Sequence, residues 1–310
     1  MSRLASIDVG TNTVRLLIIQ PEGKNSYRQV YQEQEITRLG EGVARYKRLQ
    51  PQAMQRTLAV LQRFALRARE YGAERIYAVA TSAVRESPNG SEFAKEVKAS
   101  TGFDLNIIPP EKEAELALKG ILSVSHPANG QFVAMDIGGG STEFILASRE
   151  GKPLKWVSLD LGVVKLKEMF IKQDPPSEGE YLAMCEYIRL AIAPVDFIPQ
   201  PAPALIGNAG TVTTLAAIDQ QMANYDPQHI NNYELRYPRI KAMQQRFLSL
   251  PLPERRKIAG LEPMRADVII AGAAVVLEVM DKFGYQSLLA CDSGLREGII
   301  LDILAKSLTA

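Results

Sequence analysis

Histidine and cysteine are nearly absent from this chain: two of each occur in 310 residues, with a single tryptophan. His126 and His229 are too few for a histidine-rich metal site, and a Ser-His-Asp triad is equally poorly supplied. Cys185 and Cys291 form neither a Cys-x-x-Cys pair nor a disulfide framework. They read as small buried hydrophobes in a reducing compartment. No apolar run reaches the ~18 residues needed to span a bilayer. Met1-Ser2-Arg3-Leu4 enters an apolar strand without a signal-peptide pattern, so a cytoplasmic protein with no membrane partner is expected. Excess charge of one sign is missing too. A net charge of +1 argues against a surface given over to nucleic acid, while leaving room for a local basic groove. The chemistry left to such a chain rests on carboxylates, amides, arginines and a hard cation.

What the chain does have is an internal echo. Ile7-Asp8-Val9-Gly10-Thr11-Asn12-Thr13 returns as Ile137 and its neighbours in Met135-Asp136-Ile137-Gly138-Gly139-Gly140-Ser141-Thr142-Glu143, with Asp136 lying 128 residues after Asp8. Tyr77 to Ala83 is answered by Leu205 to Thr211 at an offset of 127 when Ala80 is set on Gly207. Two echoes at nearly one offset indicate a duplicated domain. The length fits two α/β domains of about 150 residues each, and 46% hydrophobic with 23% charged residues is ordinary for a globular protein. The expected boundaries are 1–124 for a first domain, completed by a C-terminal helix at about 299–310, and 125–298 for a second.

Along the first half, Leu4 to Ile7, Val14 to Ile19 and Tyr27 to Glu33 read as strands, the latter two joined by the loop Pro21-Glu22-Gly23-Lys24-Asn25. Gly10 lets the backbone approach an anion, with Thr11, Asn12 and Thr13 as donors beside it. Arg45, Lys47 and Arg48 surround Tyr46, a charge run that reads first as a solvated loop. A helix is expected over Pro51 to Tyr71, then a strand to Ala80. Arg85 follows Thr81 and Ser82 with the planar fork that phosphate oxygens accept. Pro109 and Pro110 open a helix whose first turn carries Glu111, Glu113 and Glu115.

The second half repeats the plan. Strands are expected at Gln131 to Asp136, Ser141 to Ser148 and Lys155 to Leu159, and a helix at Val163 to Phe170. Alternation puts Ser141 and Glu143 on one strand face. Ser177 and Glu180 make a capping box, and Asn208-Ala209-Gly210-Thr211 is a fourth small-residue turn. Later helices are expected at Tyr237 to Leu248 and Arg265 to Phe283, and Asp292 to Gly298 leads into the terminal one. Paired turns at the carboxyl ends of strands in two domains imply an interdomain cleft able to clasp a chain of phosphates. Asp8 and Asp136 would be repelled by bare phosphate, which implies an intervening Mg²⁺ or Mn²⁺; the alternative is that each acid only braces its turn.

These segments, together with Thr37-Arg38-Leu39-Gly40-Glu41-Gly42-Val43, Ser82-Ala83-Val84-Arg85-Glu86, Lys112-Glu113-Ala114-Glu115-Leu116, Gly207-Asn208-Ala209-Gly210-Thr211 and Ser293-Gly294-Leu295-Arg296-Glu297-Gly298, resemble the exopolyphosphatase and guanosine pentaphosphate phosphohydrolase family over the whole chain. That family lies within the actin, Hsp70 and sugar kinase superfamily of duplicated ribonuclease-H-like domains. The resemblance implies an α/β fold of that kind and release of terminal orthophosphate from inorganic polyphosphate or from guanosine pentaphosphate (pppGpp). It implies that Glu113 positions or deprotonates the attacking water. Asp136 and Glu143 are carried over as acids of the metal and catalytic region, with Asp8 as a further metal candidate. Phosphate binding falls to Gly10, Thr11, Asn12, Thr13, Arg85, Gly138, Gly139, Gly140, Ser141, Asn208, Ala209, Gly210 and Thr211, and a homodimer is implied.

Two features depart from the family. Lys112 stands where members often carry a second acid, and the chain resembles the short form that lacks a C-terminal helical domain. Two rival readings stay open. A kinase of the same superfamily would turn the same loops to ATP but needs an acceptor site, for which no motif is found. A non-catalytic sensor of polyphosphate or nucleotide would keep the loops and lose turnover.

Overall fold

The computed structural model describes residues 2–23, 26–125 and 130–306. Lys24 and Asn25 of the expected hairpin loop, His126, and positions 307–310 of the expected terminal helix lie outside the described residues. In chain order the elements begin β1 (Arg3–Val9), β2 (Thr13–Pro21), β3 (Tyr27–Ile36), α1 (Val43–Tyr46), α2 (Pro51–Glu70), β4 (Ala73–Ala80), α3 (Ser82–Arg85), α4 (Gly90–Thr101), β5 (Leu105–Ile107) and α5 (Pro110–Leu122). There follow β6 (Gln131–Ile137), β7 (Thr142–Ser148), β8 (Pro153–Leu159), α6 (Val163–Phe170), α7 (Glu178–Ile192), β9 (Ala204–Asn208), α8 (Ala209–Asp219) and α9 (Pro227–Ile230). The chain closes with β10 (Glu234–Arg236), α10 (Tyr237–Ser249), α11 (Leu252–Arg255), a 3₁₀ turn at Pro263–Arg265, α12 (Ile269–Phe283), β11 (Ser287–Ala290) and α13 (Leu295–Lys306).

Two compact units result: Met1–Gly120 with Gly294–Ala310, and Ile121–Ser293. In the first, the sheet order is β3-β2-β1-β4-β5. β1 pairs antiparallel with β2 and parallel with β4, β2 pairs antiparallel with β3, and β4 pairs parallel with β5. Both faces of β1 are covered, so every residue from Leu4 to Val9 is buried, Ser6 and Asp8 included. On one side Ile7 and Leu16 pack against Leu61 and Phe64 of α2 and Phe93 of α4. On the other, Leu4, Leu17 and Ile19 meet Ile300 and Leu304 of α13, while Val79, Ile108 and Leu116 meet Leu295 and Ile299. α13 and α5 can approach so closely because glycines lie at the contact. A Cβ at Gly298 would stand 1.8 Å from the Leu116 carbonyl oxygen, and one at Gly120 would stand 1.9 Å from that of Gly294.

The second unit carries a sheet in the order β10-β11-β9-β6-β7-β8. Read from β8, its first five strands repeat the order and directions of the first sheet, with β10 added at the far edge. The sequence echo is therefore a repeat of topology, and the fold is the ribonuclease-H-like plan used twice. Its core gathers Val133, Met135 and Phe144 from the sheet with Leu166, Ile188 and Val275 from the helices. In each unit the central parallel strands end on one edge of the sheet, and the outer antiparallel strand two places away runs with them, so β1, β3, β4 and β5 share one carboxyl edge and β6, β8, β9 and β11 share another.

Candidate active site

Four of the motifs singled out in the first unit meet its carboxyl edge. In sheet order these are the segment 37–48 after β3, the turn 10–13 between β1 and β2, α3 after β4, and the first turn of α5 after β5. At about 4.8 Å per strand, the β5 and β3 ends lie about 19 Å apart.

The turn is closed by its own backbone. The Gly10 amide donates to the Thr13 carbonyl at 3.0 Å, and a Cβ on Gly10 would stand 3.1 Å from that oxygen. The Thr11 carbonyl accepts from the Gly40 amide at 2.8 Å, and the Asn12 carbonyl from that of Arg38 at 3.0 Å. In a trans peptide the N–H opposes the C=O, so the Asn12 amide is turned away from residue 40. Gly10 itself thus contributes closeness, its own amide being spent on the turn. Thr11, Asn12 and Thr13 are all buried. Asp8 stands opposite Arg15 in the β1–β2 register.

Arg85 ends α3 and reaches across to α5. Its Nη1 donates to the Ile108 carbonyl at 3.0 Å and to Glu113 Oε2 at 2.8 Å, with the two side chains 18% and 13% exposed. The guanidinium expected to bind phosphate and the carboxylate expected to handle water are thereby joined. The Ser82 hydroxyl donates instead to Glu86 at 2.7 Å. Lys112, although adjacent to Glu113 in sequence, sends its ammonium to Glu115 at 3.0 Å and to Asp302 of α13 at 3.4 Å. Asp302 also accepts from Lys119 and Lys306. Burial pushes its carboxyl up, but Lys119 and Lys306 outweigh that and hold it down at about 2. This lysine bracket fixes α5, and with it Glu113, to the helix that closes the unit.

The second unit builds the corresponding turn from glycine. The Gly138 amide donates to the Ser141 carbonyl at 2.9 Å, and a Cβ on Gly138 would stand 3.0 Å from that oxygen, nearly the geometry at Gly10. The carbonyls of Gly138 and Gly139 accept from the Val163 and Val164 amides of α6 at 3.1 and 3.0 Å, which turns the amides of Gly139 and Gly140 away from that helix. Small residues are needed here for proximity: a Cβ on Gly162 would come within 2.3 Å of this loop.

Asp136 and Glu143 are direct register partners on β6 and β7, with Glu143 buried and its Oε1 accepting from Ser158 at 2.7 Å. Carboxylates facing one another across a ladder repel unless a cation or proton lies between them. A hard dication held by one or two carboxylates and completed by water and phosphate oxygens suits such a pair. Among the described residues no cluster of three or more His, Cys, Asp or Glu could hold a metal by itself.

The last expected turn is a strand running directly into a helix. Asn208 ends β9, and its side-chain amide donates to the carbonyls of Cys291 and Ser293 at 3.2 and 2.5 Å, so this group braces β9 against the end of β11. Ala209 begins α8 with φ of 68°, a left-handed conformation that is costly for a residue with a Cβ. No side chain caps α8, and its first turn holds no acid, so the helix N-terminus presents its partial positive charge. Thr211 is buried against Gly272. Arg265, which the sequence did not single out, lies on Gly210: a Cβ there would stand 1.9 Å from its Nη1. No local pattern marks this arginine, since its place at α8 is set by the fold.

The sequence matches the Ppx/GppA phosphatase family over residues 18–307. Exopolyphosphatase 2 of Mycobacterium tuberculosis is 33% identical over 317 residues, covering 98% of this chain and 99% of that protein. A solved structure of the Aquifex aeolicus Ppx/GppA family member superposes with a TM-score of 0.82 at 35% identity, covering 99% of this chain and 98% of that one. Longer relatives also match. The chain spans 59% of the guanosine-5'-triphosphate,3'-diphosphate pyrophosphatase of Photobacterium profundum, at 28% identity over 305 residues. It spans 46% of the bifunctional 3-dehydroquinate synthase/phosphatase of Fusobacterium nucleatum, at 33% identity over 308 residues. With a repeated ribonuclease-H-like sheet, glycine turns at the strand ends and a match running nearly its full length, the chain belongs to the Ppx/GppA phosphatase family.

Proposed function

We propose that this chain is a phosphoric anhydride hydrolase that releases terminal orthophosphate from inorganic polyphosphate, and acts on the same bond in pppGpp. The observation that carries this reading is the 2.8 Å pair between Arg85 and Glu113, which couples an anion-seeking guanidinium to a carboxylate. A terminal phosphoryl group draws the Arg85 fork onto its oxygens and frees Glu113 to face water. The water oxygen forms its bond to phosphorus while Glu113 takes the proton. The bond from that phosphorus to the bridging oxygen breaks, and the electron pair leaves with the shortened chain. The turns at 10–13 and 138–141 and the N-terminus of α8 bind phosphate oxygens. Asp136 and Glu143 would hold Mg²⁺ or Mn²⁺, which would offset the charge of the phosphates when bound.

Orthophosphate release from polyphosphates of several lengths and from pppGpp, with and without Mg²⁺, tests the reading. Mg²⁺-dependent release is expected. No release from any substrate would favour a sensor, and acceptor-dependent formation of ADP from ATP would favour a kinase. A cytoplasmic homodimer goes with the same reading, and sedimentation of the pure protein tests the dimer.

A further inference from the structure

Arg45, Tyr46, Lys47 and Arg48 are four consecutive exposed residues between β3 and α2. A solvated charge run would normally carry its counter-ions with it, as the other arginines of this surface do: Arg56 pairs with Glu41, Arg63 with Glu35, and Arg67 with Glu70. No carboxylate among the described residues pairs with Arg45, Lys47 or Arg48. Three uncompensated cations within four residues, in a chain of net charge +1, are a local concentration of charge with no counterpart in the overall balance.

The segment is also held at both ends. Before it, the Gly40 and Arg38 amides are bound to the carbonyls of Thr11 and Asn12, and a Cβ on Gly40 would stand 2.2 Å from Thr11 Cγ2. After it, buried Leu49 exchanges two hydrogen bonds with Asn89, its amide donating to Oδ1 at 3.0 Å and its carbonyl accepting from Nδ2 at 3.1 Å. Lys47 takes a left-handed φ of 54° and returns its amide to the Val43 carbonyl at 2.9 Å. The Arg45 guanidinium lies 5.2 Å from the Tyr46 ring centroid. Little ordering entropy remains to be lost by this backbone on binding.

Topology supplies the direction. Along the carboxyl edge of the sheet the order is Glu113, Arg85, the 10–13 turn, then this loop. Arg45 is five residues from Gly40, so its Cα is at most about 18 Å from a residue bonded to the turn. A linear polyanion whose last phosphate rests at Arg85 would run over the turn and meet the three cations.

Resting on the function proposed above, we propose that Arg45, Lys47 and Arg48 form an outer subsite for the trailing phosphates of inorganic polyphosphate. It gives this chain a preference for long polymers over tripolyphosphate, which is too short to reach from Arg85 at the β4 end to the β3 end, about 14 Å away.

The test compares wild type with the triple variant Arg45→Gln, Lys47→Gln, Arg48→Gln, using long-chain polyphosphate and tripolyphosphate. These side chains are at the surface, and circular dichroism verifies the fold. Expected are a KM for long chains raised about 10-fold or more at low salt, unchanged kcat, and unchanged kinetics on tripolyphosphate. If three phosphate contacts are lost, the slope of log affinity against log salt should fall by about 2, so that a penalty of about 10-fold at 50 mM salt is gone by 200 mM. An unchanged KM for long chains, or equal losses on both substrates, overturns the subsite. Direct binding of long-chain polyphosphate to the same variant in the Glu113→Gln background separates the two claims, because it reads the subsite even if neither substrate is hydrolysed. Single-stranded RNA of equal charge, bound more tightly than polyphosphate and lost in the variant, would assign the loop to RNA and overturn the proposal.

Discussion

Replacing Asp302 with asparagine removes the one carboxylate that Lys112, Lys119 and Lys306 share. In the fold this carboxyl sits at about 2 against an ordinary 3.8. At about 1.4 kcal/mol for each tenfold change in proton affinity, that gap corresponds to about 2 kcal/mol of stability at neutral pH. The group is 11% exposed, so solvent screening takes little of it. A folded-state value below the unfolded one stabilises fully above about pH 4 and is lost as pH falls toward 2; about half remains at pH 3. Urea denaturation followed by circular dichroism, at pH 7, 5, 4 and 3, should show Asp302→Asn less stable by about 2 kcal/mol at pH 7 and 5, with the deficit shrinking below pH 4. Because the lysines on α5 then lose their tie to α13, orthophosphate release should fall as well. Equal stability at pH 7, or a deficit that persists undiminished at pH 3, would refute this account of the bracket.

Gly298→Ala places a Cβ 1.8 Å from the Leu116 carbonyl oxygen, and backbone cannot swing aside, so α13 must shift from α5. A loss of about 1–3 kcal/mol in thermal or urea denaturation is expected, with reduced turnover. At Ala209, whose φ is 68°, Ala209→Gly should be tolerated while Ala209→Val is clearly destabilised, because a β-branched side chain suits the left-handed region worst. The order of melting temperatures checks this, and a Val variant as stable as the Gly variant would contradict it.

Local signals survived translation into structure well. The capping box at Ser177 and Glu180 forms with both reciprocal hydrogen bonds. The helix expected from Val163 to Phe170 has those bounds, and the repeated acid-glycine turns mark the same point in two sheets of the same order. Short elements were not legible. β10 has three residues and one buried side chain, Leu235, which is too little for alternation to show. The helix expected from Arg265 begins at Ile269, because the chain first makes a 3₁₀ turn that delivers Arg265 to Gly210.

The same contrast holds at the candidate site. Residue types and positions were readable one by one, but the contact of Arg85 with Glu113, separated by 28 positions, exists only once β4 and β5 lie side by side. Lys112 shows the converse. Neighbours in a helix sequence do not face each other, and this lysine serves α13.

The proposed role of Glu113 toward the attacking water is tested most directly by orthophosphate release by Glu113→Gln at saturating long-chain polyphosphate, alongside its binding of the same polymer. Binding close to that of wild type and turnover lower by about 10²–10⁴-fold are expected. Release at the wild-type rate would contradict it.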